Sequence, residues 1–250
     1  MKNRKLEICV YSYESARIAQ ESGADRIELC AGLPEGGTTP SYGTVKKVCK
    51  DLSLPVHVII RPRGGDFLYT NAEIDIMCED IRMARQSGAS GIVTGVLDKF
   101  GNVDNESMQI LMKEAEGLSV TFHRAFDMTN NPFKALEDII RLGCDRILTS
   151  GQQSTALKGK ELLKELVDKS RDRIIIMPGC GITPGNIHEL ISATGASEYH
   201  FSARQSRESE MQYRNSAVSM GGTVTIDEYK QDFASAGFIQ SILQTLAQKQ

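Results

Sequence analysis

Apolar and polar residues alternate in eight short runs of this chain, and between the runs apolar residues return at helical spacing. In LEICV, residues 6–10, Leu6, Ile8 and Val10 alternate with Glu7 and Cys9. A period of two marks a strand with two unlike faces. Four runs belong to one recurring phrase: GADRIELC from 23, GASGIVTG from 88, GCDRILTS from 143 and GASEYHFSA from 195. Each copy opens on a glycine after an amphipathic stretch, the pattern of a helix that ends in a left-handed residue at C′ and turns into a strand. The other four runs, LEICV at 6, VHVIIR at 56, VTFHR at 120 and RIIIMPG at 173, precede helical stretches.

Interleaved, the two sets predict strands near 6–10, 26–30, 56–61, 91–96, 119–124, 145–150, 173–179 and 198–202, with a last helix over about 228–247. Strand and helix alternate throughout, which specifies parallel pairing through βαβ crossovers. Eight such units in 250 residues predict an α/β chain folded as one (β/α)₈ TIM-like barrel domain over 1–250. Thr183-Pro184 and Asn131-Pro132 read as N-caps with proline at N1. The longest irregular stretches, 31–40, 61–70 and 203–227, all follow strands, which puts them on the face where this architecture carries its sites.

Parity then sorts side chains. In a barrel the outward set of each strand packs on helices and the inward set fills the interior. Ile27 and Leu29 suit the helix side, so Glu28 and Cys30 point inward, as do Glu7, Cys9, His57, Ile59, Arg61, Thr121, His123, Met177, His200 and Ser202. Barrel interiors normally hold branched apolar residues. Buried carboxylates need charges or donors, and Arg61, His123 and His200 are at hand for Glu7 and Glu28. The plain alternative is an internal salt-bridge network without chemistry.

Composition narrows the partners. With 40% hydrophobic and 24% charged residues the chain can bury one large core or two small ones. A net charge of −3 without long basic runs leaves no footprint for nucleic acid or an anionic membrane. No apolar run approaches the roughly 18 residues of a membrane span, and the N-terminus lacks a signal-type apolar region. A cytoplasmic location is expected, with a small molecule or further copies of the chain as partners. The six cysteines are scattered and form no CxxC pair, so free thiols are expected.

Three loop motifs surround the predicted mouth. RPRGGDF, 61–67, supplies Arg61, Arg63 and Asp66, a set suited to clamping a carboxylate or phosphate. HRAFD, 123–127, supplies His123, Arg124 and Asp127. GCGITPGN, 179–186, leads amides, with Gly179 and Gly181, toward a helix N-terminus, a usual anion site after the seventh strand of such barrels. Cys9 and Cys30 share an inward parity on adjacent strands, where two soft sulfurs suit Cu(I) and Met177 could add a thioether; packing as small apolar groups is the alternative. No lysine lies on a predicted strand, against a Schiff-base enzyme.

IELCAGLPEGGTTPS, VIIRPRGGDFLY, TFHRAFD, RILTSG, IMPGCGIT and HFSARQS resemble, in order and over about 220 residues, the copper homeostasis protein CutC family. The resemblance implies a cytosolic TIM-like barrel that self-associates as a dimer or tetramer and handles copper, with Cu(I) held through cysteine. Cys30 in IELC matches the family motif, and Cys9 sits in the matching LEICV strand. Cys180 stands where glycine is expected, which argues against a shared role for it. Two readings follow: a copper carrier or buffer holding Cu(I) on Cys30 and Cys9, or an enzyme for a small anion. In the second, Arg61, Arg63, Asp66, Arg124, Asp127, Gly179, Gly181 and Ser202 bind the anion, and Glu28, His123 and His200 exchange protons.

Overall fold

The computed structural model describes residues 4–215, 217–221, 224 and 226–247. Eight parallel strands form one sheet: β1 (Lys5–Val10), β2 (Arg26–Leu29), β3 (Val56–Ile59), β4 (Gly91–Thr94), β5 (Ser119–Phe122), β6 (Arg146–Thr149), β7 (Ile175–Pro178) and β8 (Glu198–Phe201). Their order is β7-β6-β5-β4-β3-β2-β1-β8, and β7 packs beside β8 to complete the ring. Seven helices lie between successive strands: α1 (Tyr13–Glu21), α2 (Tyr42–Asp51), α3 (Asn71–Gln86), α4 (Asn105–Glu114), α5 (Pro132–Leu142), α6 (Lys160–Ser170) and α7 (Ile187–Thr194). This is the (β/α)₈ barrel that the alternation predicts.

The recurring phrase works as expected. Gly23, Gly88, Gly143 and Gly195 have φ of +89°, +91°, +84° and +66° at the ends of α1, α3, α5 and α7. A side chain there would strain the left-handed turn that drops the chain into β2, β4, β6 and β8. Outward residues of the strands, among them Leu6, Ile8, Ile27, Leu29, Val58, Ile92, Phe122, Ile147 and Tyr199, are fully buried against the helices. Each such side chain contributes about 1.5–3 kcal/mol of apolar transfer.

Strand ends are earlier than predicted. The strands predicted to reach 61, 96, 124 and 179 leave the ladder at Ile59, Thr94, Phe122 and Pro178. Arg61, His123 and Gly179 therefore start the loops at the carboxyl ends. Lys5 opens β1, so one lysine does lie on a barrel strand, exposed at the end opposite the loops. Asn131 caps α5 as predicted, accepting from Phe133 N and Lys134 N. Thr183-Pro184 does not open a helix: it begins a turn in which Thr183 N donates to Asn186 Oδ1, and α7 starts at Ile187.

The predicted helix over 228–247 is two elements. Residues Lys230–Ala234 form β10, antiparallel to β9 (Arg204–Glu208), and only Ala236–Ala247 is helical, as α8. Helical apolar spacing begins at Ile239, Ile242 and Leu246; upstream, Phe233 lies under Arg207, with the guanidinium 5.2 Å from its ring. Arg207 also pairs with Glu14 on α1, and Ala234 N donates to Ser15 Oγ, so the hairpin is tied to the barrel's outer layer. Among the described residues no helix is long and apolar enough to cross a membrane.

Candidate functional site

Glu7, on β1, stands in register with Arg26 of β2 and with His200 of β8. Its carboxylate accepts from Arg26 Nε and lies 2.8 Å from His200 Nδ1. Arg26 Nη2 continues to Glu198 Oε2 at 2.6 Å and to Met177 Sδ at 3.4 Å, and Arg146 Nε reaches Glu198 at 3.2 Å. All four charged residues are buried. The lower interior is thus an ion-pair network built on Arg26 and Arg146 rather than Arg61 and His123, and it engages the Met177 sulfur that parity had offered to the cysteines. Burial opposes Glu7's charge, but Arg26 and then His200 hold its carboxyl well below the usual range.

Two residues further up, the chemistry changes. Cys9 pairs in register with Glu28, and Cys30 follows at the end of β2 with its amide on Val10 O. The Cys9 and Cys30 sulfurs are 3.7 Å apart, and with a Glu28 oxygen they form a cluster within 4.8 Å. It is the one group of three or more such ligating residues among the described residues. Glu28 lies 3.7 Å from His200 Nε2.

The protons are unevenly shared. The hydrogen bond from Cys30 holds Cys9 well below the thiol range against its burial, with His200 adding to the effect. Burial, then the bond it donates to Cys9, pushes Cys30 up. Burial also raises Glu28, helped by the charge on Cys9. Burial disfavours the His200 imidazolium, yet bonds to Cys9 and Glu7 raise its pKa well above the ordinary value. These directions favour charge on Cys9 over Cys30, the neutral form of Glu28 and the charged form of His200.

Above the cluster lies a cavity of about 250 Å³ at the mouth, lined by Cys9, Tyr11, Glu28, Glu35, Ile59, Arg61, Phe67, His123, Arg124, Leu148 and His200. The candidate proton-exchanging residues Glu28, His123 and His200 therefore meet in one cavity with Arg61 and Arg124. His123 Nδ1 accepts from Ala125 N at 3.3 Å, and its ring packs on Phe67 at 4.9 Å. Burial, then Arg61, depresses its pKa to about 3.

Other residues of the predicted anion set lie elsewhere. Arg63 is turned outward, bonded to Glu73, Asp66 and Leu68 O, and it pins the 61–70 loop to the start of α3. Asp66 is exposed with it. Asp127 accepts from Thr149, Ser150, Gln152 and Arg124, holding the loop after β6 and orienting Arg124. Gly179 lines neither cavity: a Cβ there would sit 2.5 Å from Leu148 and 3.2 Å from His200, so glycine lets β7 close on β8. Gly181 and Ser202 line a second cavity beside the hairpin. Ser202 is exposed one residue past β8, and Ala203 follows it in a left-handed conformation at φ +46°. Of the remaining cysteines, Cys180 donates to Ser154 O, and Cys49, Cys78 and Cys144 lie apart from the cluster, all as free thiols.

Parity overlooked Arg26, Glu198 and Arg146, although each precedes an inward residue by two. Arg26 and Arg146 also occupy the same position in GADRIELC and GCDRILTS, so the repeat itself carried the signal. Tyr11 and Phe67 sit on loops, where no period points to them.

The CutC family profile matches residues 4–205. A protein described as family protein CutC from Bacteroides thetaiotaomicron is 54% identical over 247 residues, 98% of this chain and 99% of that one. The copper homeostasis protein cutC homolog of Homo sapiens is 50% identical over 224 residues, covering 90% of this chain and 82% of its own. Among solved structures, a CutC protein of Streptococcus agalactiae superposes with a TM-score of 0.76 at 33% identity, over 79% of this chain and 98% of that one. A phosphoribosylanthranilate isomerase of Pyrococcus furiosus shares the barrel alone, at a TM-score of 0.58 and 14% identity over 97% of this chain and 98% of that one.

Proposed function

The chain belongs to the CutC family, and from that premise we propose that it serves copper homeostasis by holding Cu(I) as cargo between the Cys9 and Cys30 sulfurs. The observation that carries this reading is the 3.7 Å approach of two thiols at the ends of adjacent strands. Thiolate–metal bonds of about 2.3 Å allow one ion to bridge sulfurs up to about 4.6 Å apart, so the pair fits without moving its strands. Sulfur is the soft donor that Cu(I) prefers, and the neighbouring Glu28 oxygen is a hard, weaker third candidate.

The environment favours the thiolate on Cys9 and the thiol on Cys30, so metal binding must displace the Cys30 proton. The strands supply rigid anchors; His200, held by Glu7, supplies charge balance beneath them. The setting suits a carrier or buffer that keeps copper from solution. Such a protein works as a soluble intracellular partner of the ion.

An anaerobic competition titration against a chromophoric Cu(I) chelator tests this. Wild type is expected to take one equivalent. Cys9→Ser and Cys30→Ser should each lower affinity by more than the roughly 10–100-fold that loss of an outer-shell partner brings. Binding unchanged in both variants would refute the assignment.

A further inference from the structure

The copper site leaves the upper wall of the mouth cavity without a task. His123 is buried, and its Nδ1 is committed as acceptor to Ala125 N, so the neutral ring carries its proton on Nε2. That Nε2–H has no hydrogen-bond partner. Arg61, on the same wall, is also buried. Its Nη1 donates to the carbonyls of Glu35 and Gly37, its Nη2 donates to Gly65 O, and its face covers Phe67, while its Nε is left without a partner. Arg61 makes no ion pair among the described residues, whereas the charge of neighbouring Arg124 is matched by Asp127.

A buried guanidinium held only by carbonyl dipoles and a ring, beside an unused buried N–H, is an unfinished electrostatic arrangement. What completes both is negative charge borne on oxygen. The cavity has room for about eight waters at roughly 30 Å³ each, which sets the size of the occupant. We propose that the barrel mouth is a binding site for a small organic anion whose carboxylate or phosphate oxygens accept from His123 Nε2–H in the field of Arg61, with Arg124 at the open side. Its three donors are distinct from the sulfur cluster, of which Cys9 and Glu28 form part of the cavity's floor.

The test is calorimetric titration of the metal-free full chain with acetate, malonate, inorganic phosphate and methylphosphonate. Binding by the carboxylates or by the phosphorus oxyanions, with a Kd of about 1 mM or tighter, is expected and identifies the class. His123→Asn keeps an acceptor for the Ala125 amide but removes the Nε2 donor, and should weaken binding about tenfold to a hundredfold. His123→Gln, which retains a donor near the Nε2 position, should bind within a few-fold of wild type. Arg124→Gln should weaken binding, and Cys30→Ser, at a residue outside the cavity lining, should leave it within a few-fold, which separates this site from the copper site. Absence of binding by all four probes, equal binding by His123→Asn and wild type, or loss only in the cysteine variant would overturn the proposal.

Discussion

At the scale of residues, the interior of this barrel is two layers of different character: an ion-pair layer around Arg26 and a thiol layer above it. Arg26 bridges Glu7 and Glu198, and its removal would leave buried Glu7 paired with His200 and buried Glu198 with Arg146. Arg26→Met is therefore expected to lower stability by about 3–5 kcal/mol in urea unfolding; a loss below about 1 kcal/mol would mean the network is solvated. His57 adds a pH dependence. Burial depresses its pKa to about 3, so the folded state binds fewer protons than the unfolded state below about 6.5. The stability tied to neutral His57 is whole above pH 6.5 and is lost as pH falls toward 3, by up to about 1.4 kcal/mol per unit. The advantage of wild type over His57→Gln should accordingly shrink by about 2 kcal/mol between pH 7 and 5, whereas a pH-independent difference would place a normally titrating imidazole there. Parity read most of this from the sequence: Glu7, Cys9, Glu28, Cys30 and His200 face inward because β1, β2 and β8 are regular. It ran past the strand at Ser202, which is exposed one residue beyond β8, and it could not foresee that Arg61 spends its donors on loop carbonyls.

At the scale of elements, the loops after β2 and β3 are set by helix capping as much as by the barrel. Thr70 and Glu73 form a capping box at the start of α3, and Glu73 also receives Arg63, which ties the 61–70 loop down. Thr70→Ala should cost about 1 kcal/mol in the same unfolding assay while leaving Cu(I) affinity unchanged, because the cap lies off the mouth. A coupled loss of copper affinity would show that this loop shapes the thiol site. Existence and order of the elements were legible from the repeated phrase, since a C′ glycine followed by alternating residues has one geometric meaning. The β9–β10 hairpin was not. Every residue of β9 is exposed, so no apolar alternation marks it, and the polar sequence before Ile239 resembles a helix's solvent face.

For the whole molecule, the hairpin lies almost wholly beyond the 4–205 stretch matched by the family profile, while the thiol cluster, the ion-pair layer and the wall of Arg61 and His123 all fall within it. The barrel brings together residues as distant in sequence as Glu7 and His200, which is why local motifs hinted at the site and only strand register assembled it. The same topology explains the division of labour: parallel strands aim their inward side chains at one end, and the loops there close over them. The proposed function reduces at this scale to whether one ion sits between two particular sulfurs. X-ray absorption at the copper K-edge on protein loaded with one equivalent of Cu(I) reads that directly. The account predicts two sulfur ligands per copper in wild type and one in each of Cys9→Ser and Cys30→Ser; coordination by nitrogen or oxygen alone, or a sulfur count the same in all three proteins, would contradict it.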